Sequence, residues 1–334
     1  MEKPELALRL SRLLAYHSEK AGRVENVRGF QESHGGLTFG FDWVIPFCPR
    51  DSMVIRLAPR GVRRSGNTDV LRQSELLKTL RKHGFPVAPI RHAGRDDEWF
   101  DTDYVIFEHV EGKAFLAWDP DVSFSRDPAD VAPKWRAAVE LLAQVHQFNS
   151  GKYLADWEAP TPIEGEVERW DSILAQAAET EWMRLGSKVR ALLLSTEPPN
   201  SPVGLLHGDC QPSNILFLAD GRVSALLDWE LSCIGAQYYD LGWLVMIGDR
   251  ESWHPDWEPV NSLNPEEMID YYASLTDRSC EGINWYRALA NYKMAVITGL
   301  FVKLHRNGKR IDPDWEKFGL AAPNLFHRAC EILS

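Results

Sequence analysis

The chain has 334 residues, of which 44% are hydrophobic, and its 48 acidic against 37 basic residues give a formal net charge of −11. This length and apolar content exclude a disordered or fibrous chain and allow two domains or one large two-lobed domain. The negative charge argues against general affinity for nucleic acid or for an anionic membrane.

Cysteine usage and the apolar runs bear on the compartment. The five cysteines contain no Cys-x-x-Cys pair, which is typical of a reducing cytosol and offers neither a disulfide framework nor a zinc site. The first ten residues carry two acidic side chains, Glu2 and Glu5, and lack the basic flank and apolar core of a signal peptide. The longest apolar run, 294–302, is too short to cross a bilayer. We therefore expect a soluble, cytoplasmic protein that binds neither nucleic acid nor membrane, and the sequence leaves its oligomeric state open.

The first third of the chain is predicted to be rich in strands. Leu6, Leu10 and Leu13 recur at helical spacing, so an amphipathic helix comes first. A second helix is indicated over 68–83, where His-Gly-Phe-Pro ends the helical pattern. Apolar alternation and short apolar runs predict strands over 24–30, 37–45, 52–59 and 103–110.

Beyond residue 110 the pattern becomes mainly helical. The strong strand signals there lie within 205–230, and the sequence shows neither an internal repeat nor a low-complexity tract. The pattern therefore predicts an α+β chain of two lobes, 1–110 and 111–334. Helices of the second lobe are predicted over 132–148, 166–183, 187–195 and 284–305.

Charge is unevenly distributed along the chain. Residues 50–95 contain 11 Lys or Arg against 3 Asp or Glu, whereas 96–130 contain 11 acidic residues against Lys113 and Arg126. Such a switch could mark a phosphate-facing region beside a region that faces a cation. For most of these residues we expect solvated surface of two signs.

The segment LLHGDCQPSNILFLADGRVSALLDWE, 205–230, carries the clearest functional pattern. Two apolar runs flank Asp220-Gly221, which predicts a β-hairpin because Gly tolerates a positive φ. In an antiparallel hairpin the residue that enters the first strand lies beside the one that leaves the second. Asn214 and Asp228 hold those positions, and Asp209 lies in the loop that leads to the same end.

These three polar side chains suit phosphate and metal chemistry. Carboxylate and amide oxygens, such as those of Asp228 and Asn214, are ligands for Mg²⁺, with waters and phosphates completing the octahedron. A carboxylate at Asp209 can orient or deprotonate an attacking hydroxyl. Any one of the three could instead satisfy a turn backbone, but three at this spacing around a hairpin favour a ligand site.

The pattern His-Gly-Asp-x-x-x-x-Asn, followed by an apolar hairpin and Leu-Leu-Asp-Trp, resembles the aminoglycoside phosphotransferase and choline kinase family, relatives of the protein kinases. The run ALLDWELSCIGAQYYDLGWL, 225–244, is similar to the phosphotransferase domains associated with acyl-CoA dehydrogenases. Compared with the protein-kinase pattern, Gly208 replaces an Arg and Trp229 replaces a Phe. The resemblance covers nearly the whole chain.

The resemblance implies a two-lobed, protein-kinase-like fold. A small antiparallel-sheet lobe, 1–110, would bind the nucleotide, and a larger, mainly helical lobe, 111–334, would carry catalysis and acceptor binding. The resemblance further implies ATP and Mg²⁺ as cofactors, with Asp209 as the catalytic residue and Asn214 and Asp228 as metal ligands.

A phosphate-covering loop is implied within ESHGGLTFGF, 32–41. Gly35 and Gly36 would let backbone N–H groups approach the phosphates, and Ser33 and Thr38 would donate their hydroxyls. Two glycines between strands are also common in an ordinary hairpin, so this loop carries little weight alone.

The third strand departs from the family pattern, because MVIRLAP offers Arg56 where a lysine is expected. Arg is always charged and can bind phosphate through two N–H groups, although the two residues are not interchangeable. The similar dehydrogenase-associated domains, whose third strand often reads Val-Leu-Arg, favour Arg56 for this role. Its implied partner is Glu75 on the helix 68–83, although a solvated Glu75 is equally compatible. Glu108 and Val110 would hold an adenine edge through backbone groups.

Four residues near the motif are given no direct part in the chemistry. His207 and Asp240 are expected to brace the catalytic loop from behind. Glu230, two residues past Asp228, could reach a second metal, but it is expected to be solvated, and no motif around Cys210 indicates thiol chemistry.

The implied activity is transfer of the γ-phosphoryl group of Mg-ATP to a hydroxyl of a small molecule. The dehydrogenase-associated resemblance favours a hydroxyacyl-CoA or hydroxy acid as acceptor, whereas the acidic second lobe would suit a cationic aminoglycoside or amino alcohol. The alternative is a nucleotide-binding regulator that has lost catalysis, because Arg replaces the usual lysine. Aromatic residues at helical spacing are usually core, but candidates to line the acceptor site are Trp253, Trp257, Trp285, Tyr286 and Tyr292.

Overall fold

The computed structural model describes residues 2–30, 37–61, 63–64, 66–95 and 99–334. Within these ranges the α-helices are α1 (Lys3–Ser18), α2 (Val70–Lys82), α3 (Pro128–Gln147), α4 (Ser150–Tyr153), α5 (Asp171–Leu174), α6 (Thr180–Leu194), α7 (Gln237–Gly248), α8 (Pro265–Thr276), α9 (Ile283–Arg306) and α10 (Asp314–Ile332). The strands are β1 (Arg23–Phe30), β2 (Leu37–Val44), β3 (Asp51–Leu57), β4 (Ile90–Gly94), β5 (Tyr104–Glu108), β6 (Lys113–Ala114), β7 (Val203–Leu206), β8 (Ile215–Phe217), β9 (Val223–Leu226) and β10 (Cys233–Ala236).

The described chain divides into two compact units. The first unit contains the described residues up to Lys113, together with Tyr153–Trp157 and Leu216–Leu231. The second unit contains Ala114–Lys152, Glu158–Ile215 and Ser232–Ser334. The functional pattern of 205–230 is therefore shared between the units, with Asp209 in the second and Asp228 in the first.

An antiparallel sheet in the order β1-β2-β3-β5-β4 is the centre of the first unit. The four strands predicted in this part of the chain are confirmed, and β4 is an addition that the sequence pattern did not indicate. The leucines of α1 pack against Phe41, Met53 and Ile55 of the sheet. In the register of β2 and β3, Thr38 lies opposite Arg56, which fixes where these two polar side chains emerge.

The helix α2 confirms the prediction for 68–83 within two residues at each end. It begins after Asp69, whose carboxylate accepts the backbone N–H groups of Leu71 and Arg72 at 3.1 Å as an N-cap. It ends before Gly84, which has a φ of +84°. The residues of α2 that are buried, and that define its inner face, are Val70, Gln73, Ser74, Leu76, Leu77 and Leu80.

The predicted hairpin is present as β8 and β9. Its turn uses Gly221 at a φ of +85°, and the Leu218 N–H donates to the carbonyl of Arg222 at 2.9 Å. The second strand is joined to the first unit because the Leu226 N–H donates to the carbonyl of Pro86 at 2.7 Å. Asp228 therefore follows a strand that is anchored in the first unit.

The second unit is built mainly from helices packed around α7 and α9. Almost every residue of α7 is buried, as expected for a helix that is apolar on all sides. The prediction of one helix over 166–183 is wrong, because the helical structure is interrupted between α5 and α6. In this interruption the Ala178 N–H donates to the carbonyl of Gly299 at 3.1 Å. In the described part of the chain, no helix has both the length and the apolar character needed to cross a membrane.

Close packing of α7 on α9 predicts a sharp effect of one methyl group. A Cβ added at Gly242 would lie 2.7 Å from the carbonyl carbon and oxygen of Tyr286, and backbone atoms cannot rotate away. We expect Gly242→Ala to lower the free energy of unfolding by about 3 kcal/mol, measured by denaturant titration. Gly151→Ala is the control, because a Cβ there meets only Asn149 Oδ1 at 3.9 Å. Equal stability of the two variants would contradict the packing argument.

Candidate active site

A cavity of about 460 Å³ lies within the first unit, a size typical of small-molecule sites. Most of its wall is apolar, and its polar side chains include Arg56, Gln73 and Asp228. It therefore offers an apolar chamber with charged groups, as a nucleotide base with attached phosphates requires. The apolar lining includes Val54, Leu77, Ala88, Phe107, Leu216 and Leu226.

The last residue of β5, Glu108, and the two residues after it line this cavity, and their predicted contact with adenine stays a prediction. The N–H of Glu108 already donates to the carbonyl of Pro89 at 2.9 Å, and its carboxylate pairs with Arg91 at 3.1 Å. Neither the N–H nor the carbonyl of Val110 meets a backbone partner among the described residues. Val110 is therefore the better placed of the two to hold an adenine edge through its backbone.

Arg56 does not pair with Glu75 as predicted. Its guanidinium contacts the carboxylates of Asp228, at 3.5 Å, and of Glu230, and these three side chains belong to one unit. Glu75 is 72% exposed and pairs with Lys78 at 3.3 Å. The reason is the phase of α2, whose inward face contains Gln73, Leu76 and Leu77 and leaves Glu75 outside.

Glu230 corrects a second expectation. It is buried, with 9% of its side chain exposed, and it forms an ion pair with Arg56. Burying a carboxylate is costly unless a cation compensates it, so Arg56 and Glu230 stabilise each other's burial. The planar guanidinium can contact two carboxylates at once, which a lysine ammonium does less well.

Gln73 is a candidate residue that the sequence motifs do not indicate. Its side chain is buried and lines the cavity, and its Nε2 has no hydrogen-bond partner among the described residues. A buried amide donor without a partner is costly, so Nε2 is available to a ligand oxygen. The signal was present in the sequence, because Gln73 precedes Leu76 and Leu77 by three and four residues and shares their helix face.

Asp228 has a backbone φ of +61°, in the left-handed region that Asp and Asn tolerate best among non-glycine residues. Its side chain is 44% exposed, and it lines the cavity two residues after β9. Thr38 lines the same cavity from β2. The other residues of the predicted phosphate loop, Ser33, Gly35 and Gly36, lie outside the described residues.

The basic block 50–95 is largely compensated within the first unit. Arg60 pairs with Asp101 at 3.0 Å and Arg64 with Asp103 at 3.3 Å, so acidic residues of the following block neutralise it. Arg91 likewise pairs with Asp51 and Glu108. The basic block and the acidic block that follows it in the sequence are therefore paired with each other in the structure. These three arginines do not form an open phosphate-binding surface.

In the second unit, the loop that carries Asp209 is held by a buried carboxylate. Asp240 accepts the backbone N–H of His207 at 2.6 Å and that of Gly208 at 3.0 Å. Burial alone would raise the pKa of Asp240, but the hydrogen bond and charge of His146 and the neighbouring His207 lower it overall. His207 Nδ1 accepts the N–H of Asp209 at 3.2 Å. Both residues therefore occupy bracing positions, as their predicted structural roles require.

Three side-chain donors fix the carboxylate of Asp209. Its Oδ1 accepts from Gln211 Nε2 at 2.8 Å and from Trp243 Nε1 at 2.7 Å, and its Oδ2 accepts from Asn214 Nδ2 at 2.9 Å. Asn214 Nδ2 also donates to the Asp209 carbonyl at 2.8 Å. The side-chain N–H groups of Asn214 therefore donate to Asp209. The Asn214 Oδ1 accepts no hydrogen bond from the described residues.

The oxygen atoms at the two predicted metal-ligand positions are of the kind that Mg²⁺ prefers to transition metals. Asn214 of the second unit offers an amide oxygen and Asp228 of the first unit a carboxylate, and their part in binding a metal stays a prediction. In the described ranges, no group of three or more His, Cys, Asp or Glu side chains is arranged to hold a metal by itself. Cys210 does not compete, because burial raises the pKa of its thiol well above the usual range.

A buried lysine lies near Asp209 in the second unit. The Nζ of Lys293 is 4.3 Å from the ring centre of Trp243, 4.8 Å from that of Tyr239 and 5.8 Å from that of Trp170. Burial lowers the pKa of Lys293, while the charges of Glu166, Asp209 and Asp240 act in the opposite direction. Four of the five aromatic residues predicted to line an acceptor site are instead core, namely Trp253, Trp285, Tyr286 and Tyr292.

The fold and this pair of sites define a phosphotransferase of the protein-kinase-like class. The chain belongs to the phosphotransferase enzyme family, whose model matches residues 49–268. The predicted membership of the aminoglycoside phosphotransferase and choline kinase group is thereby confirmed. Acyl-CoA dehydrogenase family member 11 of Gallus gallus is 28% identical over 267 residues, which cover 73% of this chain and 33% of that protein. The chain thus matches about a third of the length of this relative.

Solved structures confirm the predicted α+β, protein-kinase-like fold. A candidate aminoglycoside phosphotransferase from Ralstonia eutropha has a TM-score of 0.76 at 20% identity, covering 98% of this chain and 97% of that one. An aminoglycoside phosphotransferase in a complex with AMP-PNP and hygromycin B has a TM-score of 0.59 at 11% identity, covering 98% of both chains. The choline kinase LicA of Streptococcus pneumoniae has a TM-score of 0.58 at 15% identity, covering 97% of both chains.

The buried pair of Arg56 and Glu230 predicts a large effect on stability. Arg56→Ala should lower the free energy of unfolding by about 3–5 kcal/mol, because it leaves the carboxylate of Glu230 buried without a cation. Arg56→Lys should cost less, since it keeps the charge. Arg91→Ala, which removes two half-exposed pairs, is the control and should cost about 0–1 kcal/mol for each pair. Denaturant titration that gave equal losses for Arg56→Ala and Arg91→Ala would contradict this assignment.

Proposed function

We propose that this protein transfers the γ-phosphoryl group of ATP to a hydroxyl group of a small molecule, with Mg²⁺ as cofactor. The observation that carries the proposal is the Asp209 carboxylate, which three side-chain donors hold in a loop braced by Asp240. Family membership supports the reaction type. The AMP-PNP bound by one aminoglycoside phosphotransferase of the same fold supports ATP as donor.

Asp209 is the proposed catalytic residue. A carboxylate in this position accepts a hydrogen bond from the acceptor hydroxyl, aims it at the γ-phosphorus and takes its proton as the new P–O bond forms. Because Gln211, Asn214 and Trp243 fix both of its oxygens, the carboxylate needs little reorganisation during the reaction. Positioning is the main contribution to catalysis, since the transition state of phosphoryl transfer is loose and anionic.

The first unit would hold the nucleotide in its cavity. The apolar walls suit the adenine ring, Val110 offers backbone groups without a backbone partner in the described ranges, and Gln73 Nε2 and Thr38 offer donors to oxygens. Arg56 would orient the phosphates and also hold Asp228 and Glu230 in place. Asp228 and Asn214 are the proposed Mg²⁺ ligands. The bound ion would neutralise charge on the phosphates.

The acceptor is proposed to be a hydroxy acid or a hydroxyacyl-CoA. The acyl-CoA dehydrogenase family member that matches this chain supports that choice through its name alone. The other class, a cationic aminoglycoside, is bound by one protein of the same fold, which holds hygromycin B. Turnover measured side by side on hydroxy acids, 4-hydroxyacyl-CoA, kanamycin and choline tests the proposal. If kanamycin were the only compound of this panel to be phosphorylated, the proposal of a hydroxy acid or hydroxyacyl-CoA acceptor would be overturned.

A regulator without catalysis is the second candidate function, and one observation favours it. Arg56 stands where a lysine is expected and is already paired with two carboxylates. Such pairing could reserve Arg56 for structure rather than for phosphates. Calorimetric binding of ATP without phosphorylation of any compound in the panel would favour the regulator over the enzyme.

Removing the charge of Asp209 should act on the chemical step. Asp209→Asn keeps the size of the side chain but loses the base, so kcat should fall by about 10²–10⁴-fold. Binding of Mg-ATP, measured by calorimetry, should stay nearly unchanged. Turnover close to that of the unaltered protein on any accepted compound would show that Asp209 is not the base.

Removing the charge of Asp228 should instead act on metal-dependent binding. Asp228→Asn retains a residue that tolerates the φ of +61°, so backbone strain is not added. The Kd for ATP in the presence of Mg²⁺ should rise by about 10-fold or more, and the Kd without Mg²⁺ should change little. Asp220→Asn, in the exposed hairpin turn, is the control. If both variants bind Mg-ATP as the unaltered protein does, Asp228 is not a metal ligand.

A further inference from the structure

Lys293 is an unusual cation because its ammonium contacts aromatic rings, while the three acids whose charges act on it, Glu166, Asp209 and Asp240, form no ion pair with it. Only 8% of the residue is exposed, yet no hydrogen bond or ion pair joins its ammonium to another side chain among the described residues. Instead, the ammonium lies within cation–π distance of Trp170, Tyr239 and Trp243. A buried charge without an anionic partner is costly, so this arrangement calls for a further partner.

Three acids act on Lys293 through their charge: Asp209, whose oxygens accept from three side-chain donors, and two more acids that are engaged elsewhere. Glu166 accepts hydrogen bonds from Arg169 at 2.8 Å and from Tyr239 Oη at 2.7 Å. Asp240 accepts the two N–H groups that brace the catalytic loop. Neither carboxylate therefore supplies Lys293 with a dedicated ion pair.

A single indole ring connects Lys293 with the proposed catalytic residue. The ring of Trp243 lies against the Lys293 ammonium, while its Nε1 donates to Asp209 Oδ1 at 2.7 Å. Asp209 and two of the three rings, Trp170 and Tyr239, are partly exposed. The ammonium of Lys293 is therefore separated from Asp209 by a single indole ring.

Clusters of aromatic rings of this kind commonly bind a cationic ligand, such as a quaternary ammonium. Here the protein's own lysine occupies that position. A cationic acceptor would lose the aromatic contacts and would meet a like charge, which is unfavourable in a poorly solvated site. An anionic acceptor would instead supply the missing partner for the ammonium.

We propose that Lys293 selects the acceptor: it binds the carboxylate of a hydroxy acid whose hydroxyl is directed to Asp209, and it excludes amino alcohols and aminoglycosides. This inference rests on the proposed phosphotransfer and narrows its acceptor class. The reaction would form a phosphate ester on the hydroxyl and release ADP, with the hydroxyl proton passing to Asp209. The carboxylate would remain paired with Lys293 and unchanged.

A matched acceptor series tests the inference in the unaltered protein. The series compares ω-hydroxy acids, α,ω-diols and amino alcohols of three to six carbons, which differ only in the charge of the group far from the hydroxyl. We expect kcat/KM to be highest for the acids, lower for the diols and lowest for the amino alcohols. Equal or better turnover of diols or amino alcohols would overturn the inference. The order does not depend on any variant folding correctly.

Lys293→Met tests the residue itself. Methionine keeps an unbranched side chain against the rings but removes the charge. The KM for the acids should rise about 10- to 100-fold, as expected for loss of a charge-assisted contact, and the diols should change far less. The control is Lys303→Met, which replaces a half-buried lysine of the same helix α9. It should leave the order of kcat/KM among acids, diols and amino alcohols unchanged. Thermal unfolding of both variants checks the fold.

The outcomes separate this inference from the proposed function. If the acids keep their advantage in a folded Lys293→Met variant, Lys293 is not the selecting residue, while the phosphotransfer proposal stands. If ATP binds but none of the three series is phosphorylated, the carboxylate acceptor is wrong and other hydroxyl compounds remain. If calorimetry detects no binding of ATP, the proposed function itself is overturned.

Discussion

The site in the second unit depends on one buried carboxylate. Asp240 has no exposed surface, and a charge in such a place is tolerated only when its neighbours satisfy it. The N–H groups of His207 and Gly208 do so, and in return they fix the loop that presents Asp209. Because Asp240 and Trp243 are three residues apart on α7, they share one face of a buried helix. The same rigid element therefore braces the loop and donates to the Asp209 carboxylate.

The parts that the sequence could predict are those set by local chemistry. The Asp220-Gly221 turn predicts its hairpin, and the apolar spacing of α2 predicts its helix. The partner of Arg56 could not be predicted in this way, because Glu230 is 174 residues away and only the packing of the first unit brings it to β3. The exposure of Glu75, by contrast, was readable from the phase of α2, since Leu76 and Leu77 place it outside.

The arginine in β3 changes the electrostatics of the first unit. A lysine beside a helix glutamate would give one pair, whereas Arg56 contacts Asp228 and Glu230 together. The ion pair of Arg56 and Glu230 is buried and supports Asp228 from below. The side chain of Asp228 itself remains 44% exposed at the cavity. Arg56 thus acts on the proposed metal ligand as well as on phosphates. Arg56, Asp228 and Glu230 therefore form one charge-compensated cluster, and Arg56 is more than a replacement for a lysine.

Net charge is a poor guide to the acceptor of this protein. The total of −11 and the acidic block at 96–130 point to a cationic acceptor, but Asp101, Asp103 and Glu108 are spent on arginines of the first unit. A few residues beside Asp209 set the electrostatic potential at the acceptor. Because they are poorly solvated, a single charge there acts far more strongly than one at the surface. Lys293 brings a positive charge there and fills the aromatic cluster that a cationic ligand would need. The proposed selection of an acid therefore depends on this one ammonium, which lies among the carboxylates of Glu166, Asp209 and Asp240.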